Sequence, residues 1–212
     1  IGEPLHAFDY DVLVRRAGGK PPTIITRRAA EGERLTTLDG VERNLDAFTV
    51  LVCDNAGALS LAGVMGGQES EVTDSTRNVL LEGAAWNYIN TRRTVNAQKL
   101  PSEASYRFSR GVHPAQARRG VCRGMEYMRL WSNGVLCQGL VDEYPLPPED
   151  PVVEVNPKLV KRWLGIDLCA AEIGALLERL EFKVEINGDQ VRAKTPDHRV
   201  DISAGIVGVA DL

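Results

Sequence analysis

The chain has 212 residues, 43% hydrophobic and 25% charged, with a net charge of −4. That is the make-up of an ordinary soluble globular protein with room for one large domain or two modest ones. No apolar run approaches the roughly 18–20 residues of a membrane span, and the acidic balance excludes a protein that holds nucleic acid through a general basic field.

The opening Ile1-Gly2-Glu3-Pro4 carries neither an initiator Met nor a signal-peptide core, which reads as an internal fragment of a longer chain. Thr23 to Thr26 is a short β-branched run. Asp39-Gly40 is a hairpin-turn signal between Leu35–Leu38 and Val41–Leu45. Thr49 to Cys53 is apolar, and Asn55-Ala56-Gly57 turns it into 58–65. Gly66-Gly67 breaks that run, and 78–84 is a further candidate strand. After Pro114, the residues Ala117, Val121, Met125 and Met128 fall on one face of a helix. The arginines between them are read as its solvated face.

Pro145-Leu146-Pro147-Pro148-Glu149-Asp150-Pro151 is too proline-rich for a helix or central strand, and marks a semi-rigid linker. The reading is therefore an α+β (mixed α/β) chain. Its larger β-rich domain, with late helices, occupies 1–144; the linker is 145–151; a small helix–helix–hairpin domain fills 152–212. Within that second domain Val152–Val155 is a strand. Asn156 caps a short helix with Pro157 at its first position, and Gly165 closes it. Ile173, Leu176, Leu177 and Leu180 make the apolar face of a second helix. Asn187-Gly188 turns a final hairpin. The outline is winged-helix-like, but eight basic against ten acidic side chains between 152 and 212 argue against a DNA partner.

General chemistry alone gives no enzyme. There is no P-loop, no nucleophile elbow, no HExxH and no dinucleotide fingerprint. The three histidines, His6, His113 and His198, lie far apart. The four cysteines are widely spaced, without a CxxC pair, and read as buried or neutral thiols of a reducing, cytoplasmic compartment.

Longer motifs say more. Gly2-Glu3-Pro4-Leu5-His6-Ala7-Phe8-Asp9 opens the chain, followed by Thr37-Leu38-Asp39-Gly40. Leu61-Ala62-Gly63-Val64-Met65-Gly66-Gly67 runs on through Ser70-Glu71-Val72 to Asn78-Val79-Leu80-Leu81-Glu82. Then come Ser102-Glu103-Ala104-Ser105-Tyr106-Arg107-Phe108 and Arg110-Gly111-Val112, and near the end Pro196, Arg199, Asp201, Ile202 and Asp211-Leu212. In this order they resemble the editing domain, and most of the following small domain, of bacterial-type phenylalanyl-tRNA synthetase β subunits.

The resemblance implies a part of a phenylalanine-tRNA ligase, a heterotetramer of two α and two β subunits that uses ATP and Mg2+. The α subunit carries aminoacylation. The part present here would bind the tRNA(Phe) 3′ end and hydrolyse tyrosine wrongly attached to it; the alternative is a non-hydrolytic tRNA-binding or assembly module. Glu82 resembles the glutamate that receives the tyrosine hydroxyl. Gly63 and Gly66 match glycines lining the amino-acid pocket, and Ala104 a small residue on its wall. His6 and Ser102 match the positions closest to a catalytic role. Ser109 and His113 stand where the family usually has acids. Asp201 and Asp211 match two aspartates of a magnesium site whose remaining ligands lie beyond this stretch, so no cofactor is expected in the fragment itself.

Overall fold

A computed structural model describes residues 2–147 and 150–202. The chain separates into two compact units, Ile1–Asp142 and Glu143–Leu212. It mixes helices with antiparallel sheets, as the sequence pattern predicts.

The first unit begins with β1 (Leu5–Asp9), which runs straight into α1 (Tyr10–Arg16). Asp9 makes the transition. Its carboxylate accepts the Val12 amide at 3.0 Å, capping the helix, and the Thr76 hydroxyl at 2.6 Å. Next come β2 (Ile25–Arg28), β3 (Arg34–Thr36), β4 (Glu42–Asn44) and β5 (Val50–Asp54). After them follow β6 (Gly57–Leu61), β7 (Met65–Gly66) and β8 (Val79–Gly83). β3 and β4 form the hairpin expected at Asp39-Gly40, where Gly40 adopts φ +76°. β2, β5, β6 and β7 make a four-stranded sheet in the order β2-β5-β6-β7. The run expected over 58–65 divides in two, because Ala62, Gly63 and Val64 turn the chain between β6 and β7.

β1 pairs antiparallel with β8, far away in sequence, in the register His6↔Glu82. Three helices follow: α2 (Tyr88–Gln98), α3 (Glu103–Phe108) and α4 (Ala115–Ser132). α4 lies against β1 and β8. Its buried residues are Gly120, Val121 and Gly124, where the sequence pattern pointed to Ala117, Val121, Met125 and Met128. The approach is close. A Cβ on Gly120 would come within 2.6 Å of Glu3 Cγ, and one on Gly124 within 2.5 Å of Leu5 Cδ1. Two apolar clusters hold the unit together: Leu51, Leu61, Val64 and Leu100 in one, Phe8, Leu13, Val52 and Leu59 in the other. Arg16 joins α1 to β5 through two hydrogen bonds to Asp54, at 2.6 and 3.0 Å. That geometry is the bidentate form that fixes orientation as well as charge.

The second unit contains β9 (Val152–Val155), α5 (Pro157–Leu164), α6 (Ala170–Arg179), β10 (Lys183–Asn187) and β11 (Gln190–Lys194). The Asn156 side chain caps α5 by accepting the Leu159 amide at 2.9 Å, and Gly165 ends it at φ +75°. β9 adds to the hairpin in the order β10-β11-β9. Val153, Val155, Val160, Ile173, Leu177, Val191 and Ala193 form its core. Among the described residues no helix is long and apolar enough to cross a membrane. Cys53 is buried, whereas Cys122, Cys137 and Cys169 are exposed thiols.

Candidate functional site

The β1–β8 pair places His6 directly opposite Glu82. Opposite residues of an antiparallel pair project to the same side, and here that side is a cleft open in part to solvent. The turn between β6 and β7 brings Gly63 and Gly66 to its wall. α3 contributes Ala104 and Phe108, and Trp86 also lines the cleft, beside Gly63. Four separate stretches of sequence therefore meet at one place. Five of the residues singled out from sequence, His6, Gly63, Gly66, Glu82 and Ala104, line it together.

The glycines are there because rings occupy the space a side chain would need. Gly63 adopts φ +69°, and a Cβ on it would stand 2.7 Å from Trp86 Cδ1 and 3.1 Å from Phe108 Cδ2. At Gly66 a Cβ would stand 2.9 Å from His6 Nε2. Any larger residue at either position would displace an aromatic wall.

The imidazole of His6 packs edge-on against Phe8, centroids 4.4 Å apart. Burial holds its pKa below the ordinary value, so the ring is neutral at physiological pH and can accept a proton or orient a water. Glu82 keeps some exposure as a residue, yet its Oε2 is shielded from solvent and has no hydrogen-bond partner in the protein. Burial alone pushes its carboxyl up to about 7. A buried carboxyl oxygen with nothing to bind is costly in a folded protein. It is an acceptor waiting for a donor.

Ser102 lies outside the cleft lining. Its hydroxyl accepts the Ser105 amide at 3.0 Å as the cap of α3 and donates to the Val64 carbonyl at 2.6 Å. The Ser105 hydroxyl returns the bond by accepting the Ser102 amide at 2.9 Å. Ser102 thus ties the helix carrying Ala104 and Phe108 to the turn carrying Gly63. Trp86, Phe108 and Met65 line the cleft without having been singled out. Phe108 stands inside a motif quoted above, whereas Trp86 lies beyond the end of β8 and carries no local signal.

Asp201 sits in the second unit with both carboxylate oxygens bonded to Arg199, at 2.9 and 2.8 Å; Asp211 lies outside the described residues.

The B3/4 domain family matches residues 1–131, and the tRNA synthetase B5 domain matches residues 153–206. The chain is 39% identical over 212 residues to the phenylalanine–tRNA ligase β subunit of Moorella thermoacetica, covering 100% of this chain and 26% of that protein. It is 40% identical over 206 residues to the β subunit of Geobacter metallireducens, covering 97% and 25%. A solved N-terminal fragment of the phenylalanyl-tRNA synthetase β-subunit from Pyrococcus horikoshii aligns with 98% of this chain and 58% of that one, at TM-score 0.49 and 19% identity. The chain spans about a quarter of the length of the curated relatives it matches. It belongs to the B3/4 domain family, joined here to a B5 domain, and is part of a phenylalanine–tRNA ligase β subunit.

Proposed function

We propose that the cleft hydrolyses tyrosine mis-attached to tRNA(Phe), as the editing site of a synthetase that also contains an α subunit, two copies of each, and uses ATP and Mg2+ elsewhere. The observation that carries this reading is the unpartnered, buried Oε2 of Glu82 in a cleft walled by aromatic rings and glycines. A tyrosine side chain fits such a place. Its ring lies between apolar walls and its hydroxyl donates to Glu82. Phenylalanine would fill the same space but leave the carboxyl unpaired, which costs more than the missing bond itself. The need for a second site is physical as well, because a hydrophobic pocket rejects an added hydroxyl only by about 10².

The chemistry asks for little. The aminoacyl ester is already activated, so one oriented water suffices. Neutral His6 holds that water and takes its proton as the oxygen bonds to the ester carbonyl carbon. The ester C–O bond then breaks, and the ribose oxygen leaves with the proton that His6 took from the water, which returns the imidazole to its neutral form. The absence of a nucleophile motif agrees with this route. The test is release of tyrosine from tyrosyl-tRNA(Phe) by the complete synthetase, with phenylalanyl-tRNA(Phe) as the comparison. Faster loss of tyrosine is the expected result. Equal stability of the two esters would leave a tRNA-binding module without hydrolysis.

A further inference from the structure

Charge is unevenly spread along the first unit. Between Tyr88 and Arg110 the chain carries Arg92, Arg93, Lys99, Arg107 and Arg110 against a single acid, Glu103, although its net charge is −4. In the β-rich part, arginines pair with carboxylates: Arg16 with Asp54, Arg27 with Glu33, Arg34 with Glu42, Arg43 with Asp39. Among the described residues Arg92, Arg93 and Arg110 instead lie over aromatic rings. Arg92 is 5.1 Å from the Tyr88 centroid, Arg93 is 3.4 Å from that of Phe48, and Arg110 is 3.9 Å from that of Tyr106. The rings are open to solvent, Phe48 and Tyr88 at 45% and Tyr106 at 55%.

These pairs belong to one piece of the molecule. α2 packs on α3, and the side-chain Nδ2 of Asn90 on α2 donates to the Phe48 carbonyl. α3 also borders the cleft, since Ala104 and Phe108 line it. Tyr106 is about half a helical turn from both and is exposed. A guanidinium lying on a ring keeps its N–H edges available and sits beside a flat apolar surface. Phosphates seek the first and unpaired bases the second. An acidic protein partner would match the charge but would leave the exposed rings without a role.

We propose that Phe48, α2 and α3 form a docking face for single-stranded RNA, which runs past α3 and delivers its aminoacylated end to the cleft. This rests on the reading of the cleft as an aminoacyl-tRNA hydrolase. Such a face also explains how a chain of negative net charge holds a polyanion: the contact is local.

The test uses the complete synthetase. A single-stranded RNA of about twelve nucleotides carrying 4-thiouridine is crosslinked to it by light, and the adducts are mapped by mass spectrometry. Adducts on the peptides containing Phe48, Tyr88 or Tyr106, lost in the Arg92→Gln/Arg110→Gln double variant, are expected; adducts confined to other regions overturn the proposal. In kinetics, the double variant should raise KM for tyrosyl-tRNA hydrolysis. It should also make log(kcat/KM) shallower against log[salt] by about 1.4, at roughly 0.7 per lost phosphate contact. Tyr106→Ala should lower kcat/KM about 5- to 150-fold, the range for one lost base-stacking contact. Hydrolysis of tyrosyl-adenosine, which needs only the cleft, should be unchanged in all variants. Unaltered tRNA kinetics in the double variant overturns the docking face. A wild type that hydrolyses neither ester overturns the reading of the cleft instead, and the crosslink map then decides the docking face alone.

Discussion

His6 and Glu82 face each other across the β1–β8 pair, 76 residues apart in sequence and adjacent in register. Burial shifts their pKa values in opposite directions, the imidazole down and the carboxyl up to about 7. Neither group need carry charge near neutral pH, which is the condition an apolar cleft imposes on titratable groups that lack an ion partner. The pairing also separates their tasks. In the proposed reaction the buried free oxygen of Glu82 receives the substrate hydroxyl and the neutral ring of His6 takes the proton.

Replacing Glu82 should therefore act on choice of substrate. Above pH 7, where the carboxylate is ionised, Glu82→Ala removes a charge-assisted hydrogen bond worth roughly 1.5–3 kcal/mol, or about a 10- to 150-fold loss of preference for tyrosyl- over phenylalanyl-tRNA. In the wild type that preference should rise as pH passes upward through about 7, where the carboxyl ionises and becomes the stronger acceptor. Hydrolysis of both esters by the complete enzyme, measured from pH 6 to 8, checks both points. An equal fall on the two esters would assign Glu82 to catalysis or folding.

Filling the cleft should abolish hydrolysis without unfolding the chain. Ala104 borders open space and is only partly buried, so Ala104→Trp puts an indole where the substrate ring would lie. Gly66→Ala is the contrasting case. Its methyl must push the His6 ring, at an overpacking cost of about 1–3 kcal/mol. Thermal unfolding should separate them, with Gly66→Ala the less stable, while tyrosyl-tRNA hydrolysis falls in both. Full hydrolysis by Ala104→Trp would move the amino-acid site elsewhere.

Much of this architecture can be read from the sequence where one residue type has one local meaning. Asp39-Gly40 and Asn187-Gly188 announce hairpins because glycine takes the positive φ the turn requires, +76° and +62°. Asn156-Pro157 and Gly165 bracket α5 for similar reasons. Helices without an apolar stripe escape such a reading. α2 buries Thr91 and Thr94, and α1 buries only Leu13. On α4 the glycines that allow close packing on Leu5 look like breaks in the pattern when read locally. The cleft is a tertiary product. Periodicity does not place His6 beside Glu82, and only the resemblance of long motifs drew its residues together. Trp86 was out of reach, since its role depends on where the Gly63 turn folds.

Ser102 offers a test of whether a hydroxyl near a cleft is chemical or architectural. It caps α3 and binds the Val64 carbonyl, so Ser102→Ala should cost about 1 kcal/mol through the cap. A further loss is expected from the unpaired carbonyl. Hydrolysis should decline modestly as Ala104 and Phe108 lose their tether, and Ser102→Thr should restore both stability and rate. Loss of hydrolysis at full thermal stability would make the hydroxyl a catalytic group.

Glu3 carries the clearest pH signature. It is 8% exposed, neither carboxylate oxygen has a partner among the described residues, and α4 crosses it at Gly120. Burial raises its pKa from 4.5 to about 7. A carboxyl with a higher pKa when folded binds its proton more tightly in that state. Its stabilising effect is complete below about pH 4.5 and is lost as the pH climbs through 7. The shift corresponds to at most about 3 kcal/mol, with Glu82 acting in the same direction. Glu3→Gln keeps the shape and removes the charge, so at pH 8 the first unit should gain up to that amount. Its unfolding midpoint should then rise by about 5–10 °C. At pH 4.5 wild type and variant should unfold nearly together. Thermal unfolding of both proteins across this range is the measurement. A variant less stable than wild type at pH 8 would mean that the Glu3 carboxylate is ionised and held by a cation.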